Sequence, residues 1–197
     1  IFYIKMEAVK KIELNKIVKI VLITIFGTLL LTISAKIKIP FYPVPMTMQT
    51  FVVLFLGIAL GPKVGLATVT LYLLEGIFGF PVFANSPEKG FGLVYFTGPT
   101  MGYLIGFLVA TYLSGLFITP KTSLGRKNNY LSIFLKLLLS VSFIYVLGLL
   151  WLGILIGWDK PIFKLGAQPF LLAELFKLIL LTVLYPWIIK INIKLFR

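Results

Sequence analysis

Glu174 and Lys177 stand three residues apart in a stretch, Ala167 to Ile189, that is otherwise almost wholly apolar. On a helix that spacing puts both on one face, and either charge alone would be expensive at membrane depth, so the pair must face protein or a cavity. Either the two groups neutralise each other and pin their helix to its neighbours, or they form the polar floor of a binding site. Glu75 is another acid in an apolar run; near a span's outer end, it reads as pairing with a lysine or reaching the interface rather than touching a substrate. Gln49, just after three prolines at 40, 43 and 45, can offer two amide donors and an acceptor into the space those prolines create. Asn85, Lys89 and Tyr95 gather in Gly-Phe-Pro-Val-Phe-Ala-Asn-Ser-Pro-Glu-Lys-Gly-Phe-Gly-Leu-Val-Tyr-Phe-Thr (79–97), which is neither a normal span nor an ordinary polar loop and reads as a lid or re-entrant segment.

Most enzyme chemistry lacks its parts. The chain has no Cys and no His, which removes thiolate nucleophiles, imidazole bases, disulfides and the usual zinc sites together. No catalytic residue, metal ligand or cofactor is assigned. No Gly-x-x-x-x-Gly-Lys-Ser/Thr phosphate loop occurs. A membrane enzyme using Glu75, Glu174 and Lys177 as acid and base would have no convergent nucleophile or metal set.

The elements that must position these residues are membrane helices. The 197 residues are 59% hydrophobic, well above the roughly 45–50% of a soluble domain, and the mean hydropathy is +1.04. At roughly 20 apolar residues per span the length predicts a single membrane-embedded all-α domain, residues 1–197, of six helices. The spans are read at about 17–35, 46–60, 64–78, 98–117, 133–157 and 167–189, with Gly61-Pro62-Lys63 a tight turn between antiparallel helices and 119–129 the longest aqueous connection. Lys19 is expected to extend its amine to the headgroups. No cleavable signal is read in Ile1 to Glu13, and Met6 is a candidate start residue.

The net charge of +13 reads as membrane topology and not as a nucleic-acid surface, because basic residues collect on the cytoplasmic side. Lys36, Lys38, Lys89, Lys160 and Lys164 make five on one side, against twelve at 5–19, 63, 121–127 and 190–197 on the other. Both termini are therefore expected in the cytoplasm, with the 79–97 segment facing out. On the first span Thr24, Thr28 and Thr32 form an i, i+4 stripe beside Gly27 and Ala35, a small-residue surface that lets membrane helices approach closely, whether a partner's or this chain's own.

The runs Val-Pro-Met-Thr-Met-Gln-Thr (44–50), Leu-Gly-Pro (60–62), Tyr-Leu-Leu-Glu-Gly-Ile-Phe-Gly-Phe-Pro-Val-Phe-Ala (72–84) and Gly-Pro-Thr-Met-Gly-Tyr-Leu-Ile-Gly-Phe (98–107) closely resemble the BioY family, the biotin-binding S components of energy-coupling factor (ECF) transporters. The resemblance spans about Ile39 to Gly115 and continues in Gly-Ala-Gln-Pro-Phe-Leu-Leu-Ala-Glu-Leu-Phe-Lys (166–177). It implies a six-helix S-component fold in the cell membrane, biotin capture from the outer face, and partners in one transmembrane coupling subunit and two cytoplasmic ATPases. An S component of the same fold for another vitamin is the alternative.

By the same resemblance Gln49, Asn85, Glu174 and Lys177 fall on ligand-contact positions, and Lys89, Tyr95 and Tyr103 are counted with them. Biotin offers two ureido N–H donors and a carbonyl, an apolar thiophane and chain, and a carboxylate; a carboxylate such as Glu174 suits the N–H groups and aromatics suit the rest. Three departures from the family pattern are visible: glutamate instead of aspartate at 174, Glu75 in place of an apolar residue, and Asn-Ser-Pro-Glu-Lys-Gly (85–90) in place of a shorter glycine-rich loop. The threonine stripe at 24, 28 and 32 replaces alanines that resemble the family's docking surface for the coupling subunit.

Overall fold

The computed structural model describes residues 2–40, 42–118 and 129–196, with side chains from Leu14 to Leu195 within those ranges. The expected aqueous connection at 119–128, Arg197, and the side chains of Lys5, Lys10 and Lys11 fall outside that description. Helix α1 (Phe2–Lys36) leads to a short antiparallel pair, β1 (Lys38–Ile39) with β2 (Met46–Thr47), in which Lys38 faces Thr47. The helices α2 (Gln49–Ile77), α3 (Met101–Phe117), α4 (Tyr130–Ile156), the short α5 (Ile162–Gly166) and α6 (Leu171–Phe196) complete the bundle.

The helix α2 is two antiparallel arms. Gly61 takes φ 77° and ψ 173°, outside the helical region, and Pro62 follows it. Across the break the Gln49 amide donates to the Tyr72 hydroxyl at 2.8 Å, although 23 residues separate them; a continuous helix of that length would hold them about 34 Å apart. With its two arms counted separately and the one-turn α5 set aside, the bundle has six helical crossings, as the hydropathy pattern predicts.

The break leaves the carbonyl of Ile58 without its usual donor, because residue 62 is a proline with no N–H. Asn192 on α6 fills the vacancy: its Nδ2 donates to Ile58 O at 3.3 Å and Ala59 O at 3.0 Å. Nearby, Lys19 Nζ donates to the Leu195 carbonyl at 2.6 Å. The amine expected at the headgroups thus ties α1 to the end of α6, and the hairpin tip, the start of the α1 span and the tail of α6 share one end of the bundle.

Helix α1 is apolar outside and small inside. Thr24, Gly27, Thr28, Leu31, Ser34 and Ala35 recur at helical spacing and are buried, while Leu22, Phe26, Leu29 and Ile33 point outward and are more than half exposed. Lipid is as apolar as leucine, so large side chains gain little by turning inward and close backbone approach decides the packing. Gly27 meets the methyl of Thr68 on α2. The threonine stripe offered above as a docking surface packs within the chain: Thr24 and Thr28 are buried, and the Thr28 and Thr32 hydroxyls donate to carbonyls of their own helix.

A second stripe, Gly102, Gly106, Ala110 and Ser114 at spacing of four, lines α3. A Cβ at Gly106 would lie 2.6 Å from Ile144 Cα on α4, and one at Gly57 would overlap Ser114 Oγ and the Thr111 carbonyl. Helix α3 is therefore in backbone contact with α4 on one side and with the α2 arms on the other. Gly106→Leu is expected to cost about 1–3 kcal/mol by overpacking, read as a lower unfolding temperature in detergent, whereas Ile105→Leu at a lipid-facing neighbour leaves it unchanged.

Candidate functional site

Three irregular connections, at 37–48, 78–100 and 157–170, gather at the end of the bundle opposite the hairpin tip. Irregular backbone at membrane depth survives only where protein or a cavity satisfies it. The first arm of α2 is about 18 Å long by rise per residue, short of a bilayer core of roughly 30 Å. The missing depth holds a cavity. Its empty volume is about 560 Å³ with the open mouth included. Most of that space belongs to the open mouth, and what lies between the side chains is a narrow slot.

The floor is ionic. Lys177 Nζ donates to Glu174 Oε1 at 2.7 Å, to the Thr47 carbonyl at 2.7 Å and to Thr50 Oγ1 at 3.0 Å, which uses all three of its donors. The Thr50 hydroxyl also donates to Glu174 Oε1, at 2.8 Å. Glu174 and Lys177 are only 5% and 7% exposed, and a buried ion pair holds together only when its remaining hydrogen-bonding capacity is met. It is met with one exception. Among the described residues Glu174 Oε2 has no hydrogen-bond partner within 3.5 Å; the residue lines the cavity, and the neighbouring Tyr145 hydroxyl interacts with its carboxylate.

Gln49 lines one wall, and a relay behind it runs to Tyr72, whose hydroxyl donates on to the Val82 carbonyl at 3.0 Å. The opposite wall carries Tyr103, whose hydroxyl donates to the Gly166 carbonyl at 2.8 Å; Tyr145 meets its ring edge-on at 6.1 Å. Phe83 roofs the slot, stacked on Tyr95 at 4.7 Å and edge-on to Tyr72 at 5.4 Å. Its ring occupies the place a side chain at Gly76 would need. Burial raises the pKa of the Tyr95 phenol above its ordinary value, so the group stays protonated while its oxygen accepts the Asn85 N–H at 3.3 Å.

Of the residues singled out in the sequence, Gln49, Tyr95, Tyr103 and Glu174 line the cavity, and Lys177 stands behind Glu174. Asn85 and Lys89 do not reach it. The Asn85 side chain instead accepts from Lys38 Nζ at 3.2 Å, and exposed Lys89 lies 5.8 Å from the centre of the Tyr42 ring. A polar residue in a loop has no periodicity to tell which way it points. Glu75 is half-buried and forms no ion pair among the described residues. Thr50, Tyr72, Phe83 and Tyr145 were not legible, since hydroxyls and aromatics within apolar runs are ordinary; only their place on the Gln49 and Glu174 faces would have found them.

The BioY family's sequence model matches residues 6–193. The chain belongs to the BioY family. It is 37% identical over 149 residues to a probable biotin transporter BioY of Pyrococcus horikoshii, covering 75% of this chain and 82% of that one. It is 34% identical over 167 residues to the biotin transporter BioY of Thermotoga maritima, covering 85% and 94%. Among solved structures it is similar to the S-component for biotin from an ECF-type ABC transporter, with a TM-score of 0.74, 28% identity, and coverage of 89% of this chain and 93% of that one. The fold is that of an S component, and the protein is a multi-pass protein of the cell membrane.

In this BioY protein the ion pair and its threonine act as a unit. Lys177→Met should destabilise the bundle by about 3–5 kcal/mol, because it strands a buried carboxylate. Glu174→Gln combined with Lys177→Met should recover part of that loss. Thermal unfolding of the four proteins of the double-mutant cycle in one detergent measures the coupling; strict additivity would show that the two groups do not support each other.

Proposed function

We infer that this chain captures biotin at the outer face and carries it across the cytoplasmic membrane as the substrate-binding subunit of an ECF-type importer. The observation that carries the reading is the Glu174 carboxylate at the floor of a narrow aromatic slot: its Oε2 is a buried acceptor with no hydrogen-bond partner within 3.5 Å among the described residues, with the Tyr145 hydroxyl beside it. A biotin ureido N–H is a donor of the right kind for Oε2, and the aromatic lining suits the apolar thiophane ring and alkyl chain. The names of the relatives and of the structural neighbour support the same substrate.

Charge fixes the direction in which the ligand enters. A carboxylate brought against Glu174 would meet like charge in a poorly solvated place, so the ureido ring goes in first and the carboxylate stays toward the mouth. Lys177 is occupied by three acceptors; its part is to hold Oε1 and leave Oε2 to the guest. Gln49 lines the slot near the threonines and adds an amide to the polar end.

The rest of the importer is separate. The chain carries no phosphate-binding loop, so the energy comes from partner ATPases reached through a transmembrane coupling subunit, in keeping with the ECF-type ABC transporter from which the structural neighbour comes. With the cavity end outside, both termini lie in the cytoplasm beside Lys16, Lys19, Lys63, Lys190 and Lys194, the orientation that basic residues favour.

The test is Glu174→Gln, which keeps the shape and removes the charge. A hydrogen bond to a charged acceptor contributes roughly 1.5–3 kcal/mol, so biotin affinity measured by calorimetry on the purified chain should fall roughly tenfold or more. An unchanged affinity would remove Glu174 from the site, and an unaltered chain that binds no biotin would reject the reading.

A further inference from the structure

The roof of the slot is held in part by Tyr95 within the lining and in part by two residues that contribute nothing to that lining. Segment 78–91 has neither helix nor strand; turn bonds within it satisfy some of its carbonyls, Phe83 O accepting from the Ser86 N–H at 3.2 Å and hydroxyl at 3.0 Å, and donors from other elements add to these. Two of those donors are lysines at the end of α1 and in β1. Lys36 Nζ donates to the carbonyls of Phe83 at 2.8 Å and Ser86 at 2.7 Å. Lys38 Nζ donates to the Ala84 carbonyl at 2.6 Å and to Asn85 Oδ1 at 3.2 Å.

The four bonds fall on consecutive residues, 83 to 86, and the first two of these, Phe83 and Ala84, line the cavity. Neither lysine makes an ion pair among the described residues, although Glu88 is near enough to Lys36 to act on it electrostatically. The two ammonium groups also repel each other, and the loop carbonyls that solvate both offset that repulsion only while the roof is in place. Lys36 is exposed and Lys38 half-buried, so water can replace the carbonyls without any change in the bundle.

We propose that Lys36 and Lys38 are positioning residues that latch the 83–86 roof over bound biotin and set how long it stays. The proposal rests on the biotin reading given above. The latch acts through Phe83 and Ala84, so it governs escape, while affinity for the ring is fixed below by Glu174. Loss of folded protein and loss of the latch have different kinetic signatures. A destabilised bundle has fewer competent molecules and a lower apparent association rate, whereas an unlatched roof raises the dissociation rate and leaves association equal or faster.

The experiment is stopped-flow and competition measurement of both rates with biotin on the full-length chain in detergent. Because water takes the place of a lost donor at these partly exposed groups, the four bonds together are worth roughly tenfold. Lys36→Met with Lys38→Met should therefore speed dissociation about tenfold without slowing association, and Lys38→Arg, which keeps the donors, should stay close to the unaltered protein. A folded double variant with an unchanged dissociation rate overturns the latch, and so does one in which only association falls. Should the double variant not fold, amide hydrogen exchange of residues 83–86 in the unaltered protein decides: biotin is expected to slow it, and exchange indifferent to biotin defeats the proposal. Absence of biotin binding by the unaltered chain would instead defeat the function itself and is read separately.

Discussion

The bond from Lys177 to Glu174 organises the interior of this protein. Two opposite charges sit between helices where neither could stay alone, and their mutual attraction is supplemented by Thr50 and by the Thr47 carbonyl. That arrangement requires the start of α2 to lie against the first turns of α6, which in turn requires the chain at 40–48 to arrive extended and to turn sharply. The prolines before Gln49 and the short β pair supply that path. The same arrangement satisfies every polar atom of the pair except one, and the exception lies where the cavity begins.

Below the cavity the design is different. There the bundle is held by closeness of backbone: glycines 57, 65 and 115 let the α2 arms and α3 touch, as Gly102 and Gly106 do for α3 and α4 at the level of the slot. Hydroxyls fill what remains, with Thr111 and Ser114 donating to carbonyls of the first arm at 3.3 and 3.4 Å. Large aliphatic side chains face lipid instead. One half of the molecule is thus a dense stack and the other an aromatic slot with an ionic base, and both follow from the rule that no polar group inside a bilayer is left to water.

The number and order of helices were legible because leucine- and isoleucine-rich runs of span length have few other uses, and because Gly61-Pro62 marks the hairpin without ambiguity. Helix starts were less so. The second span begins at Gln49 and not at Met46 because Met46 and Thr47 pair with β1, and the last begins at Leu171 after a 3₁₀ turn over Gln168–Phe170. Glu174 stood out as an ionisable group in an apolar run, which is a strong signal in a membrane. Lys36 and Lys38 did not, because lysines at the end of a span are expected at any interface. The threonines of α1 were legible as a packing surface, but their spacing says nothing of whose helix they pack against.

The dense stack beneath Thr50 has a consequence for traffic. With the α2 arms and α3 in backbone contact at Gly57, Gly65 and Gly115, and Asn192 plugging the hairpin tip, the slot is a cul-de-sac. Cargo in it has no exit through that packed side and must leave by the opening by which it came. A vessel with a single mouth delivers only where that mouth is turned.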